Sequence, residues 1–418
     1  MNGGRGAAAL AAAAMLCASA AGAAAATQQQ EMLLVPTGDQ SAKPVPQTAV
    51  DATDSPEEIA KDAAGDLKDS RFYNKPGATR AQYNADWQQC RLIARGSRTP
   101  SGSVPFFYNP AVISPLAAGI GGGIGGFIAG KIKEGQLRRA NRRTCLMIRG
   151  WRLVEVPPAE AARVAAMTDA QRSGYFDTLV GAPTVSGKVT ERLRFTDAPD
   201  PALRLATPLS APGLVWAGKK VDPATFAVAP GEAVLVVAFR RTEPATLGKS
   251  GAVTLLRYDP AARDVIYRPQ DWKKTGDRTT YDVSVPSREK KAAYEVQLHR
   301  VTPGAYVLDS LSSGTVTEPT THCFGAPMLR VAAGEVLYLG DFGPFSNAKL
   351  LDGTKVSTLV HAANPEDARR TLATKQPRLA AAMKPAAWQN RATYACAGVT
   401  MTRWDMAGVP GVETAARE

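Results

Sequence analysis

The spacing of apolar residues divides the chain into an N-terminal part with helical periods and a C-terminal part with strand periods. From Leu214 onward, short β-branched or alternating runs are separated by Pro-Gly, Gly-Lys-Ser-Gly and Asp-Pro turns. Several short strands with such turns are typical of an antiparallel sandwich. We therefore predict an α+β chain, mainly β, with an antiparallel β-sandwich over residues 212–406. The predicted strands are 233–240, 251–258, 264–267, 293–301, 304–308, 335–339 and 392–404.

A helical signal interrupts these strands over residues 364–384. Asn364 is suited to the N-cap, Pro365 to the first helical position, and two acidic residues follow in the first turn. Pro377 lacks the backbone N–H that a continuous helix requires, so it should divide the segment into two helices. We expect this helical insertion to lie on an edge of the sandwich.

The N-terminal part is predicted to contain a tether, a cysteine-bracketed region and a connector. Residues 27–70 lack a sustained apolar period, which is typical of a flexible linker. Residues 71–153 contain a predicted helix over 82–94 and a glycine-rich segment. Residues 154–211 form a helical connector, in which Thr168 and Gln171 are spaced as a capping box, and we expect the connector to pack on the sandwich.

The most unusual segment, residues 115–132, reads PLAAGIGGGIGGFIAGKI. Gly122, Gly126 and Gly130 recur every four residues, so on a helix they form one stripe without side chains. Such a stripe lets a second backbone approach closely, whereas the opposite face is apolar. The segment resembles the glycine zippers of bacterial envelope proteins, which implies membrane association or self-association. The alternative is a flexible glycine-rich loop, because each glycine costs about 1 kcal/mol relative to alanine in a helix.

A basic stretch follows the glycines, with eight Lys or Arg residues and one Glu between residues 131 and 152. It is predicted either to contact an anionic surface or to be a solvated helix end, where cations interact favourably with the helix dipole. As a flank of a membrane span, it would favour a cytoplasmic C-terminal side. The predicted contact residues are Lys131, Lys133, Arg138, Arg139, Arg142 and Arg143.

The first 26 residues are predicted to be a secretory signal, because an Ala-rich apolar stretch ends in small residues. Removing them leaves a formal net charge of +11, since they contain one arginine and no acid. A basic exported chain is suited to anionic lipid or an acidic polymer, and export separates it from nucleic acid. We predict an exported protein of the periplasm or the periplasm-facing envelope. Residues 407–418 are assigned to a tail.

Four cysteines follow the predicted signal, at positions 90, 145, 323 and 396. An even number in an exported chain indicates disulfides. Of the three possible pairings we favour Cys90 with Cys145 and Cys323 with Cys396, because each pair lies in one compositional region. The first bridge is incompatible with a single membrane crossing between its cysteines, because the two thiols would then face opposite sides.

The chain shows no recognisable catalytic or metal-binding motif. The cysteines lack CxxC spacing, and the three histidines lack helical ligand spacing. His322 is next to Cys323, but neighbours on a strand point to opposite faces. The GKSG sequence at residues 248–251 lacks the upstream glycine of a P-loop, so we predict a turn. We therefore predict no catalytic residue, no metal and no cofactor.

Aromatic and polar residues near the C-terminus form a possible sugar-binding surface, although such residues more often seal a sandwich edge. The candidates are Trp388, Asn390, Tyr394 and Trp404.

The segments APGEAVLVVAFRR, TPGAYVLDSL and AAGEVLYLGDFG resemble small β-sandwich domains of bacterial periplasmic and lipoprotein-like families of unassigned function. That resemblance implies the fold and no chemistry. Our leading hypothesis is a non-enzymatic envelope protein that associates with a membrane, or with its own copies, through the glycine helix. The alternatives are a soluble periplasmic module that binds a ligand such as a carbohydrate, and an enzyme of unknown type.

Overall fold

The computed structural model describes residues 56–67, 71–94, 124–191, 207–244, 246–269, 271–313, 320–349, 355–396 and 400–401. Its helices are α1 Pro56–Asp66, α2 Arg80–Ala94, α3 Ile124–Ile148, α4 Pro158–Ala165, α5 Asp169–Leu179, α6 Trp272–Thr275, α7 Pro365–Ala373 and α8 Pro377–Ala382. The N-terminal strands are β1 Arg71–Asn74, β2 Arg152–Glu155 and β3 Lys188–Glu191.

The C-terminal part contains the longer strands, and the predicted α+β class, mainly β, is confirmed. The first seven are β4 Leu214–Trp216, β5 Ala233–Arg240, β6 Ala252–Asp259, β7 Asp264–Val265, β8 Asp282–Pro286, β9 Tyr294–Val301 and β10 Gly304–Ser312. The other seven are β11 Thr320–Thr321, β12 Phe324–Val331, β13 Val336–Lys349, β14 Lys355–Ala362, β15 Met383–Pro385, β16 Gln389–Thr393 and β17 Thr400–Met401.

The strands β1, β2 and β3 form an antiparallel sheet in the order β1-β2-β3, and α5 packs on this sheet. Phe176 of α5 is buried, with its ring centroid 4.8 Å from that of Tyr83 on α2 and 6.1 Å from that of Phe72 on β1. The predicted helices and the Thr168–Gln171 capping box are present. The connector is predicted to pack on the sandwich, and the aromatic contacts of α5 are with β1 and α2 of the N-terminal part. We call the elements α1–α5 and β1–β3 the N-terminal module.

Helix α1 lies in the segment predicted to be a flexible linker, and that prediction is wrong for residues 56–66. The carboxylate of Asp66 is buried and accepts two hydrogen bonds from Arg142 on α3, at 2.8 and 2.9 Å. It also accepts one from the indole N–H of Trp87, at 2.9 Å. Asp62 binds the same guanidinium at 2.9 Å. Ion pairs thus order this polar segment. The spacing of apolar residues does not reveal such ion pairs, so the helix could not be predicted from it.

Two six-stranded sheets form the sandwich. One has the order β16-β12-β10-β6-β7, with β8 also paired to β6, and its pairings are antiparallel. The other has the order β14-β13-β5-β9-β4, with β15 paired to β13. In this second sheet, β13 pairs in parallel with β5 and β15, and β4 pairs in parallel with β9. The expected purely antiparallel sandwich is therefore corrected to one antiparallel sheet and one mixed sheet.

Three apolar clusters fill the spaces between the layers. The inner faces of the two sheets share one cluster, which includes Leu235 of β5 and Leu255 of β6. The outer face of the antiparallel sheet packs against the N-terminal module. The outer face of the mixed sheet packs against α7 and α8. All eight residues of β5 are buried, because this strand is covered on both faces.

The predicted helical insertion is confirmed as α7 and α8, which begin at Pro365 and Pro377. It covers the face of the mixed sheet and does not lie on an edge. Asn364 precedes α7, but its side chain does not cap the helix and instead donates to Asp341 at 2.9 Å. The predicted final strand is divided into β16 and β17, which belong to different sheets.

Replacing Arg142 with Met should destabilise the protein by about 3 kcal/mol, because the buried Asp66 would lose its two guanidinium hydrogen bonds and keep the longer 3.3 Å contact with Arg139. Urea denaturation of the wild type and R142M measures this difference. The matched control is R163M, which removes an exposed pair with Glu160 at 3.6 Å and should cost at most about 1 kcal/mol. Equal unfolding midpoints for the two variants would contradict the assigned role of Arg142.

Candidate functional site

The strongest candidate site is helix α3, because it joins the glycine stripe to a fixed attachment point. Its C-terminal end contains Cys145, which is bonded to Cys90 on α2. Both sulfurs belong to fully buried residues. The bridge closes a loop with a sequence separation of 55 residues, which is worth about 4 kcal/mol in the chain-entropy description. This end of the helix is therefore held firmly in the N-terminal module.

The second predicted bridge, between Cys323 and Cys396, also forms, and both of its cysteines are buried. Both preferred pairings are thus confirmed, and they place the chain in an oxidising, extracytoplasmic environment. The bridge lies where the sandwich meets the N-terminal module. There the backbone N–H of Cys396 donates to the carbonyl of Ile93, at 3.0 Å.

The glycine stripe is only partly described. Gly126 and Gly130 lie within α3, so the backbone there is helical and the alternative of a loop is excluded for these two residues. Gly122 lies outside the described residues. Among the helices that the structure describes, none is both long enough and apolar enough to cross a membrane.

The basic stretch is used largely within the protein, which corrects the predicted anionic-surface contact for two of its residues. Arg142 is buried between Asp62 and Asp66, as described above. Arg139 donates to the carbonyl of Gly65 at 2.5 Å and lies 3.3 Å from Asp66. Burial favours the neutral form of Arg142, but its bonds to the two carboxylates raise its pKa overall. These arginines bind α1 to α3.

The other predicted contact residues are less constrained by the structure. Arg138 and Arg143 are half-buried, and Arg143 interacts with the hydroxyl of Tyr73. Burial raises the pKa of that hydroxyl well above its usual range. The side chains of Lys131 and Lys133 lie outside the described residues.

The predicted C-terminal ligand surface is not assembled by the residues that the structure describes. Tyr394 is buried, and its hydroxyl donates to Asp309 at 2.9 Å, so it is wrong as a surface residue. The indole N–H of Trp388 donates to the carbonyl of Leu339 at 3.1 Å, and the half-buried ring packs on the inner cluster. The side chain of Asn390 and all of Trp404 lie outside the described residues. Tyr394 therefore belongs to the cluster shared with the N-terminal module, and Trp388 packs on the cluster between the two sheets.

His322 and Cys323, for which no catalytic role is predicted, both lie in the interior. Cys323 is bonded to Cys396, and His322 is buried beside it. Among the described residues, no group of three or more His, Cys, Asp or Glu side chains is arranged to hold a metal ion.

Sequence reasoning missed a buried ionic cluster at the end of β5. The Arg240 guanidinium donates to Asp341 on β13 at 2.8 Å and to Asp367 on α7. Tyr294 and Tyr338 each donate a hydroxyl hydrogen bond to Asp341, both at 2.6 Å. Burial, followed by the Asp341 charge, raises the pKa of both phenols well above the usual value. Every partner is thus satisfied inside the protein, which is typical of a structural cluster.

A second polar row, also missed, follows one face of β9. Glu295, Gln297 and His299 alternate along the strand, and their side chains are linked by hydrogen bonds of 2.6 and 3.2 Å. Their period of two is the only sequence signal that identifies them. Burial, followed by the charge of Arg288, lowers the pKa of His299 to about 4. The imidazole is therefore neutral at neutral pH.

Comparison of the chain with protein-family models, with curated proteins and with solved structures finds no match. Function is therefore inferred from the side chains and their positions.

The lowered pKa of His299 predicts a pH-dependent stability term. The unfolded chain takes up a proton near pH 6.5 and the folded chain only near pH 4, so stability falls as the pH drops through this window. Relative to H299Q, the wild type should lose about 2 kcal/mol between about pH 7 and about pH 5. Urea denaturation of both proteins at each pH measures the difference. Parallel pH profiles for the wild type and H299Q would contradict the buried, neutral histidine.

Proposed function

We propose that this protein is an exported, non-catalytic envelope protein that associates with a membrane or with its own copies through the glycine stripe of α3. Residues 1–26 act as the export signal, and the mature chain functions in the periplasm or on the envelope surface that faces it. The sandwich presents an interaction surface. No cofactor and no nucleic acid take part.

The observation that supports the proposal is the continuity of α3. One helix of 25 residues carries Gly126 and Gly130 near its start and Cys145 near its end. At about 1.5 Å per residue, the disulfide lies roughly 30 Å from Gly126 along the axis. A glycine stripe on a helix that is held at its far end can meet a second surface without losing its attachment. This arrangement is suited to association rather than to catalysis.

The oxidised Cys90–Cys145 bridge favours particular modes of membrane contact. It is incompatible with one crossing between the two cysteines, so the helix would lie in the interface, enter as a hairpin, or pack against another copy. The alternative of a carbohydrate-binding sandwich loses support, because Tyr394 is buried and Trp388 uses its N–H within the protein.

Replacing Gly126 and Gly130 with Leu should abolish close backbone approach and reduce the membrane-retained or self-associated fraction roughly tenfold. Retention is measured after washing membranes with high salt and carbonate, and self-association by analytical ultracentrifugation. The matched control is G135L on the same helix. At about 100° per residue, Gly135 lies about 180° around the helix from Gly126.

A Cβ at Gly135 meets no atom within 4 Å, so the control should fold normally and behave as the wild type. Unchanged membrane retention together with unchanged self-association in G126L/G130L would overturn the proposal. If G135L also lost membrane retention and self-association, the glycine stripe would not be the specific contact surface of the helix.

A further inference from the structure

Two loops at one end of the sandwich carry exposed basic and apolar side chains that the proposed function does not use. The first loop, residues 246–250, follows β5, and the second, residues 287–292, joins β8 to β9. Their side chains include four cations and one carboxylate, Glu289. The cations are Lys249, Arg288, Lys290 and Lys291. We call these two loops the basic loop patch.

The patch is held in a fixed shape from beneath. Arg241 is fully buried, and its guanidinium donates to the carbonyls of Lys249 and Ala292, at 2.7 and 3.4 Å. Glu295 is also buried and accepts the backbone N–H groups of Arg288 and Glu289. The Arg241 guanidinium lies 3.7 Å from Glu295, so the two opposite charges support the two loops together.

The two loops also bind each other. The backbone N–H of Gly248 donates to the carbonyl of Lys290 at 3.2 Å, and Ser287 and Gly251 exchange two hydrogen bonds. Gly248 has a φ of 71°, the left-handed conformation that favours glycine, and this turn places Leu247 at the tip. The two loops therefore form one preformed surface that carries the cations, and they are not independent of each other.

The patch carries a net positive charge, since its four cations are accompanied by one carboxylate, Glu289. The ion pairs formed among described residues include none of its four cations. Arg288 instead lies over the ring of Trp216 on edge strand β4, 4.6 Å from its centroid. The positive charge of this surface is therefore available to bind an anion from outside the protein.

Apolar side chains are exposed beside these cations. Leu247 is 56% exposed and Leu214, at the start of β4, is 52% exposed. Leu247 belongs to the first loop of the patch, and Leu214 borders the patch because it is in register with Glu295, which contacts the second loop. Exposed leucines among unpaired cations are suited to a membrane surface, where the cations meet lipid phosphates and the apolar tips enter between the headgroups.

We propose that the basic loop patch docks the sandwich onto a membrane rich in anionic lipid. This contact is separate from the glycine stripe, because it lies on a different part of the chain and depends on charge. The two contacts can therefore be tested independently.

A local probe tests the docking surface without interference from the rest of the chain. An environment-sensitive fluorophore is attached to L247C in the purified full-length protein, and vesicles of phosphatidylcholine with or without phosphatidylglycerol are added. We expect a blue shift only with the anionic vesicles, reversed by high salt. The control is the same label at K273C on α6. Strand β8 separates α6 from the patch, so that label should not shift.

Charge variants measure how much the cations of the patch contribute to binding of anionic vesicles. K290Q/K291Q should weaken partitioning of the L247C-labelled protein onto anionic vesicles about 30-fold, since two cations are lost near the surface. The matched variant K273Q/K274Q should leave it unchanged. No shift at L247C, an equal shift at K273C, or an equal effect of the two charge variants would overturn the proposal. Because G126L/G130L leaves the patch intact, its membrane retention and this fluorescence report the two contacts separately.

Discussion

Two consecutive buried arginines at the end of β5 are the charges on which the sandwich depends. Side chains alternate along a strand, so Arg240 points to the helix-covered face of the mixed sheet and Arg241 to the inner side. A buried guanidinium without partners is costly, and the fold must therefore bring a carboxylate to each face. Asp341 and Asp367 form ion pairs with Arg240, and Glu295 forms an ion pair with Arg241.

This requirement explains several features of the topology. Asp341 lies on β13 in register with Ala238 of β5, so the pairing of these strands brings its carboxylate within 2.8 Å of Arg240, two residues further along β5. Asp367 lies on α7, which fixes the helical insertion over the face of the sheet. It also accepts the backbone N–H of Leu209, and so holds the chain that enters β4. One cluster thus joins four segments of the chain, namely β5, β13, α7 and the residues that lead into β4.

The N-terminal module is attached by a similar combination of burial and polar contacts. Asp66 neutralises Arg142 within the module, and the Cys90–Cys145 bridge holds α2 to α3. Toward the sandwich, Asn141 accepts the backbone N–H of Met401 at 2.7 Å, and Arg149 lies 5.2 Å from the ring centroid of Phe324. Several arginines of the basic stretch, which the sequence alone suggests are on the surface, instead make contacts inside the protein.

The sequence by itself determined the elements whose signals are local. A continuous run of apolar and mostly β-branched residues predicted β5 to the residue, as expected for a strand that is covered on both faces. Prolines set the starts of α7 and α8. Both disulfide pairings followed from the observation that each pair of cysteines lies in one compositional region. Only the tertiary structure decided which charges are internal, because a carboxylate such as Asp66 reaches its arginine 76 positions away. It also decided the parallel pairings and the shape of the basic loops, since both depend on contacts that no local period encodes.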